Sequence, residues 1–349
     1  MKKSLSYTNA LIISLSALLC CCAKETQPES NGNEIALNPS VDYKVALFKG
    51  ATLYMPDADN PTAGLRSDMF HVVTFFTKDK PSGSVYFESN AKYSNEALDV
   101  TKHRWRFYTS EGSGAYLHYY WPFNSNVDFF AYAPHNCSYV TLDNSSNPPA
   151  FTASMPLENT GTGVHLDNMK EFIYAYTPDR GVEGGEVPIS FEHPFAAIKF
   201  KVLQSHRNLT VKNITISNVY NTGTCRLVSC GQTLYIPEWT NSGKGDMSLI
   251  IEKIIPGQVN IGGELGGPYL VLPQENRGVT VDNFSIECHW AGYEAADNIK
   301  TFTGLINNDW EAGKMYTYTL DLGNSGNDIL LSVDVEPWVY VYNHELDIE

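Results

Sequence analysis

The chain lacks the arrangements of side chains that catalysis needs. It has no His-Glu-x-x-His pair and no Gly-x-Ser-x-Gly elbow, Gly112-Ser113-Gly114 lacks the flanks of a nucleophile turn, and the nine histidines are scattered. Gly262-Gly263-Glu264-Leu265-Gly266-Gly267 has no phosphate-loop lysine and is expected to be a turn between strands. Asp57-Ala58-Asp59-Asn60 falls short of the oxygen ligands a calcium loop requires. These absences predict a protein that is not an enzyme and uses no cofactor or metal.

Positive charge is also scarce. Lys and Arg total 24 against 39 Asp and Glu, for a net charge of −15, so the surface repels nucleic acid and anionic lipid. Of the seven cysteines three are contiguous, Cys20 to Cys22, leaving Cys137, Cys225, Cys230 and Cys288 in the body. Four dispersed cysteines do not make a disulfide framework. Cys225 and Cys230 are near enough in sequence to bridge a hairpin-like turn, with buried free thiols as the alternative.

What is present begins at the N-terminus. Lys2 and Lys3 precede the apolar stretch Ala10 to Leu19, about ten residues, too short to span roughly 30 Å of hydrocarbon as a helix. Leu18-Leu19-Cys20-Cys21-Cys22 closes it as a lipoprotein export signal does, with lipidation expected at Cys21 (after Leu18) or alternatively Cys22 (after Leu19). Residues 1–20 read as the signal. Acyl chains contributing about 0.8 kcal/mol per buried methylene would anchor the protein on a bilayer outside the cytoplasm. Ala23 to Glu34 is polar and without aromatics, and is expected to be a disordered tether.

The body is read with period two. Ile329, Leu331, Val333 and Val335 alternate with Leu330, Ser332, Asp334 and Glu336; Tyr316, Tyr318 and Leu320 alternate with Thr317 and Thr319; Ile198, Phe200 and Val202 alternate with Lys199 and Lys201. Phe70 to Phe76 is apolar on both faces. With 26 Gly and 18 Pro between short strands, the pattern predicts an all-β protein of two sandwiches, cut at the Gly181–Glu186 linker into residues 67–185 and 186–349. Trp121, Phe129, Phe130 and Tyr132 are expected to fill a core rather than form a carbohydrate-stacking platform. His193, before Pro194, is expected to be a hydrogen-bonded structural residue.

Tyr119-Tyr120-Trp121-Pro122, followed by Val127-Asp128-Phe129-Phe130-Ala131-Tyr132-Ala133-Pro134, resembles the first-domain signature of the fimbrillin family, the lipoprotein precursors of type V pili. Phe172-Ile173-Tyr174-Ala175, Ile189 to Phe200, Asn213 to Val219, Leu272-Pro273-Gln274, Trp310 to Tyr318 and Val333 to Trp338 continue the resemblance in order, over roughly residues 65 to 342. It implies two tandem transthyretin-like β-sandwich domains and a structural or accessory pilus role in cell adhesion at the outer membrane. It further implies cleavage by an arginine-specific protease after the first strand and polymerisation by strand donation from the next subunit. Arg66, in Asn60 to Ser67, which reads as an exposed loop that a protease could enter, is the expected processing residue, with Ser67 as the new N-terminus. Residues 21–66 would then be tether and propeptide, with a first strand within Val41 to Met55. The implied donor is the C-terminal segment, Trp338, Val339, Tyr340, Val341 and Tyr342. The expected partners are other pilin subunits, the outer membrane through the lipid, and a host protein or glycan. The alternatives are a non-polymerising surface lipoprotein that binds glycan or host protein, and an anchor or tip subunit of the pilus.

Overall fold

The structure, a computed structural model, describes residues 30–41, 65, 68–77, 83–93, 105–108, 116–204, 208–231, 234–257, 263–290, 299–322 and 330–337. Twenty strands lie among them. In chain order they are β1 (Ser30–Glu34), β2 (Leu37–Val41), β3 (Met69–Phe76), β4 (Val85–Tyr93), β5 (Trp105–Tyr108), β6 (Tyr116–Leu117), β7 (Tyr120–Pro122), β8 (Val127–Ala133), β9 (Val140–Asp143) and β10 (Ala150–Ser154). They continue with β11 (Ile173–Arg180), β12 (Val187–Phe191), β13 (Ala196–Gln204), β14 (Leu209–Ser229), β15 (Tyr235–Ile255), β16 (Gly263–Val271), β17 (Phe284–Trp290), β18 (Ile299–Gly304), β19 (Lys314–Asp321) and β20 (Leu330–Pro337). The protein is all-β, as its two-residue periodicity predicts.

The first half is a six-stranded sheet, β11-β8-β3-β4-β5-β6, covered by the two-stranded sheet β12-β2 and flanked by β1-β7. Phe70 of β3 meets Phe191 of β12 edge-on, ring centroids 5.4 Å apart, across the two layers. Both faces of β3 are largely buried, which is why its sequence shows no alternation. The second half packs the sheet β18-β17-β14-β10-β9, with β15 on the far side of β14, against β16-β13-β19-β20. Phe200 of β13 and Phe284 of β17 meet there at 5.8 Å.

Pairing crosses the linker at which the sequence suggests a cut. β12, from beyond Gly185, pairs with β2, while β9 and β10, from before it, join the second-half sheet through Phe151↔Cys225 to Ser154↔Thr222. One apolar core runs through both halves. Phe151, Phe172, Phe195 and Trp239 form its seam, with centroids 5.1 to 6.4 Å apart. The interval 181–186 is short of apolar anchors, as its composition indicates, yet the strands on either side exchange sheets.

Four expectations are corrected. The glycine run 262–267 is not a loop from Gly263 onward: β16 starts there, and Gly266 and Gly267, with φ of 149° and 99°, sit where its register with β13 shifts. A Cβ on Gly267 would lie 2.8 Å from the Ile198 carbonyl oxygen, so glycine is needed for the close approach of the two backbones. β19 is buried on both faces, Thr317 and Thr319 included, because β13 and β20 flank it and a second layer covers it. In β20 the predicted apolar face is exposed rather than half-buried, since among the described residues no layer covers it beyond Leu331. Finally, strand structure begins at Ser30, inside the segment expected to be a tether.

Candidate functional site

The segment ahead of Arg66 is built into the first half. Ile35, Leu37 and Pro39 are buried and Asn38 is exposed, the alternation of a strand with one apolar face. β2 runs parallel to β12, from Leu37↔Val187 to Val41↔Phe191. Its seat is apolar: Val187, Ile189 and Phe191 are each at most 3 % exposed, and Pro188 and Ser190 face outward. The Val187 N–H donates to the Ala36 carbonyl at 2.8 Å. In a parallel ladder alternate residues address the same neighbour, so Asn38 and Ser40 face β12 as Ala36 does. Pro39 therefore stands where β12 requires no N–H donor. On the other side the Ile35 N–H donates to the Tyr119 carbonyl at 2.8 Å, and β1 pairs with β7. Burying Ile35 and Leu37 contributes about 1.5–3 kcal/mol each, roughly 3–6 kcal/mol together. Glu34 and His118 meet at 2.7 Å, but both are about half exposed, so this pair adds little.

The expected first strand, Val41 to Met55, lies outside the described residues apart from Val41, and β2 ends where it was to begin. Sequence reasoning missed β1 and β2 because the polar run before Ile35 masked them. The alternation Ile35-x-Leu37-x-Pro39-x-Val41 is the signal that could have found β2.

Arg66 and Ser67 lie outside the described residues, as do Cys21, Cys22 and the segment Trp338, Val339, Tyr340, Val341, Tyr342. The neighbours of the expected processing point are placed. Leu65 is 1 % exposed, its carbonyl accepts the Asp68 N–H at 3.0 Å, and the Asp68 carboxylate pairs with Lys170. At Leu65 the expectation of an exposed loop is corrected: the chain is fastened within one residue on each side of Arg66 and Ser67.

Among the described residues β20 is an edge strand. It pairs antiparallel with β19 from Asp321↔Leu330 to Lys314↔Pro337. Leu331 packs against the core, where Gly304 leaves room for it, whereas Val333 and Val335 are 36 % and 46 % exposed. An edge strand presenting a row of apolar side chains and unpaired backbone groups is a template for another chain.

Cys225 and Cys230 do not pair: both are free, Cys225 buried and Cys230 exposed. Cys225 lies within β14, opposite Trp239, and the turn comes only after Cys230, where the Cys230 N–H donates to the Leu234 carbonyl at 2.7 Å. Five residues along one strand span roughly 16 Å, beyond the reach of a disulfide. Burial pushes the Cys225 thiol pKa well up.

Trp121, Phe129 and Phe130 are buried, as core fillers should be, with Trp121 and Phe129 in edge contact at 5.9 Å; Tyr132 is half-buried. His193 is structural: its Nδ1 lies 2.5 Å from Glu171 Oε1, both side chains at most 3 % exposed, tying the two halves together beside the aromatic seam. A groove bordered by Tyr220, Trp239, Glu238 and Glu275 opens near that seam, but its aromatics are engaged. Trp239 donates its indole N–H to the Pro194 carbonyl and packs against Phe151 and Phe195, and the Lys244 ammonium covers Tyr220 at 4.2 Å. Among the described residues no group of three His, Cys, Asp or Glu could hold a metal ion.

The fold is that of an all-β sandwich protein. Residues 68–338 match the fimbrillin-like family, and the chain belongs to that family. Among solved structures it is similar to a fimbrial protein from Bacteroides vulgatus, at 16% identity over 83% of this chain and 99% of that one, TM-score 0.51. It is also similar to a candidate cell adhesion protein from Bacteroides uniformis (15% identity, 87% and 99% covered, TM-score 0.47) and to the C-terminally truncated tip fimbrial protein Mfa3 from Porphyromonas gingivalis (10% identity, 86% and 99% covered, TM-score 0.37). The likeness to the Bacteroides vulgatus protein is one of fold. No curated protein matches the sequence. Fimbrillin-like proteins are structural and adhesion proteins rather than enzymes.

Proposed function

We propose that this chain is a pilus subunit of the cell surface, secreted as a lipoprotein lipidated at Cys21 or Cys22, trimmed after Arg66, and polymerised by strand exchange. Two tandem transthyretin-like sandwiches that meet near residues 181–186, with β9, β10 and β12 crossing between them, form the processed subunit. The observation that carries this reading is a complementary pair: a buried aliphatic strand, β2, upstream of Arg66, and an edge strand, β20, whose valines are exposed. A cut after Arg66 leaves β1 and β2 held by packing and hydrogen bonds alone, together with the lipid upstream of them. Their departure takes Ile35 and Leu37 out of the core and leaves β12 with an open edge beside Val187, Ile189 and Phe191, and that open edge favours capture of a strand from another copy. The groove at Trp239 gives the glycan-binding alternative no open stacking face.

The test is an Arg66→Ala protein expressed in its native cell. The proposal expects the full-length lipidated form to accumulate and the detergent-resistant ladder of polymers to vanish. Undiminished polymers from Arg66→Ala would refute it.

A further inference from the structure

We propose that strand exchange places Leu331–Pro337, rather than the aromatic segment that follows, in the seat of β2 of the next subunit. In this register Leu331 takes the place of Ile35, Val333 of Leu37, Val335 of Pro39 and Pro337 of Val41. The inference rests on the strand-exchange reading above and fixes its partner segment and register.

Two constraints select it. The first is parity. The seat buries the side chains at 35, 37 and 39, and the odd-numbered residues from Ile329 to Val341 are all aliphatic or proline, whereas the even ones include Asp334 and Glu336. A shift by one residue turns those carboxylates into the apolar seat, so only shifts by two are allowed. The second is Ala36, which is also buried, at 5 % exposure, and whose carbonyl accepts the Val187 N–H. Its replacement must be small and uncharged. The residues that registers of correct parity would bring there are Leu330, Ser332, Asp334, Glu336, Trp338 and Tyr340, and only Ser332 meets that requirement.

The rest of the register agrees. Asp334 falls on exposed Asn38 and Glu336 on Ser40, which is only partly covered. Pro337 falls on an odd position, where β12 needs no N–H. Leaving β19 opens the β19 edge and breaks the ladder from Asp321↔Leu330 to Lys314↔Pro337, which the ladder with β12 replaces in part, while the donor's own side chains lose little apolar burial, since Val333 and Val335 are already exposed and only Leu331 packs on its own core.

The test uses cysteine pairs in a Cys230→Ser background. Ser190 is exposed and lies opposite Ser40, so the register sets it beside Glu336 of the donor. Ser190→Cys with Glu336→Cys should form an intersubunit disulfide under mild oxidation in polymers and none in the unprocessed monomer. Ser190→Cys with Asp334→Cys, or with Trp338→Cys, should remain reduced. Polymers that cross-link through position 334 or 338 and not 336 overturn the register while leaving strand exchange standing. Absence of polymer from the unmodified chain refutes strand exchange and the register with it.

Discussion

Leu37 is the residue by which the hold of the N-terminal strand is best measured. It is 3 % exposed and faces the Val187–Ile189–Phe191 seat, next to Asn38, which is exposed on the same strand. Leu37→Ala removes three carbons from a packed site and leaves a cavity, a change costing about 2–4 kcal/mol for buried leucines. Asn38→Ala touches neither the core nor the ladder and should stay within about 0.5 kcal/mol of the parent. In a unit of this size each kcal/mol moves the melting temperature by roughly 1.5–2 °C, so Leu37→Ala should melt about 3–8 °C lower than the parent. Thermal unfolding followed by near-ultraviolet circular dichroism, on parent and both variants, makes the comparison. If the Leu37→Ala and Asn38→Ala proteins melted together, the segment would be a tether after all, and the argument from β2 to strand exchange would fail.

His193→Ala removes the buried hydrogen-bond partner 2.5 Å from Glu171 at the junction of the halves and leaves that carboxyl group unpaired; a loss of about 1–3 kcal/mol is expected in urea unfolding, and no measurable loss would contradict the burial of the pair. Burial pushes the thiol of Cys137 up to about 11 and that of Cys288 up to about 12, and raises Cys225 further, so exposed Cys230 should be the first of the four body cysteines labelled by a maleimide at neutral pH, read by peptide mass spectrometry with Cys20 to Cys22 replaced by serine. Burial also raises the phenols of Tyr132 (up to about 12), Tyr139, Tyr174, Tyr269 and Tyr318. Above about pH 10 the unfolded chain then holds fewer protons than the folded one, so stability should fall as pH rises; phenolate absorbance and loss of structure should coincide, and tyrosines that titrate before unfolding would contradict it. Gly267→Ala should destabilise by about 1–3 kcal/mol, because φ is 99° and the added carbon meets the Ile198 carbonyl; a neutral effect in thermal melts would show that the bulge can relax.

The elements legible in the sequence are those whose side chains report a local environment. Ile198, Phe200 and Val202 alternate with lysines because β13 buries one side, and Trp121, Phe129 and Phe130 fill the core their size suggests. What was not legible depends on partners distant in sequence. Ser30–Glu34 is polar and forms a strand only because Tyr120–Pro122 offers an edge about ninety residues later. Thr317 and Thr319 look solvent-facing but are covered by the strands on either side, beside Lys199 and Lys201 of β13 and Asp334 and Ser332 of β20, whereas Val333 and Val335 look buried and are exposed. The spacing of Cys225 and Cys230 suggested a bridge, yet the position of the turn decides whether two cysteines face each other, and here it falls beyond both. β9 and β10 cross to the other half because β14 is long enough to serve both, which no local pattern encodes.

The account turns on whether the chain is cut ahead of Ser67. The direct measurement is mass spectrometry of the N-terminus of protein recovered from its native cell surface. Strand exchange predicts assembled subunits that begin at Ser67 and carry no lipid. Assembled protein still beginning at an acylated Cys21 or Cys22 would contradict it.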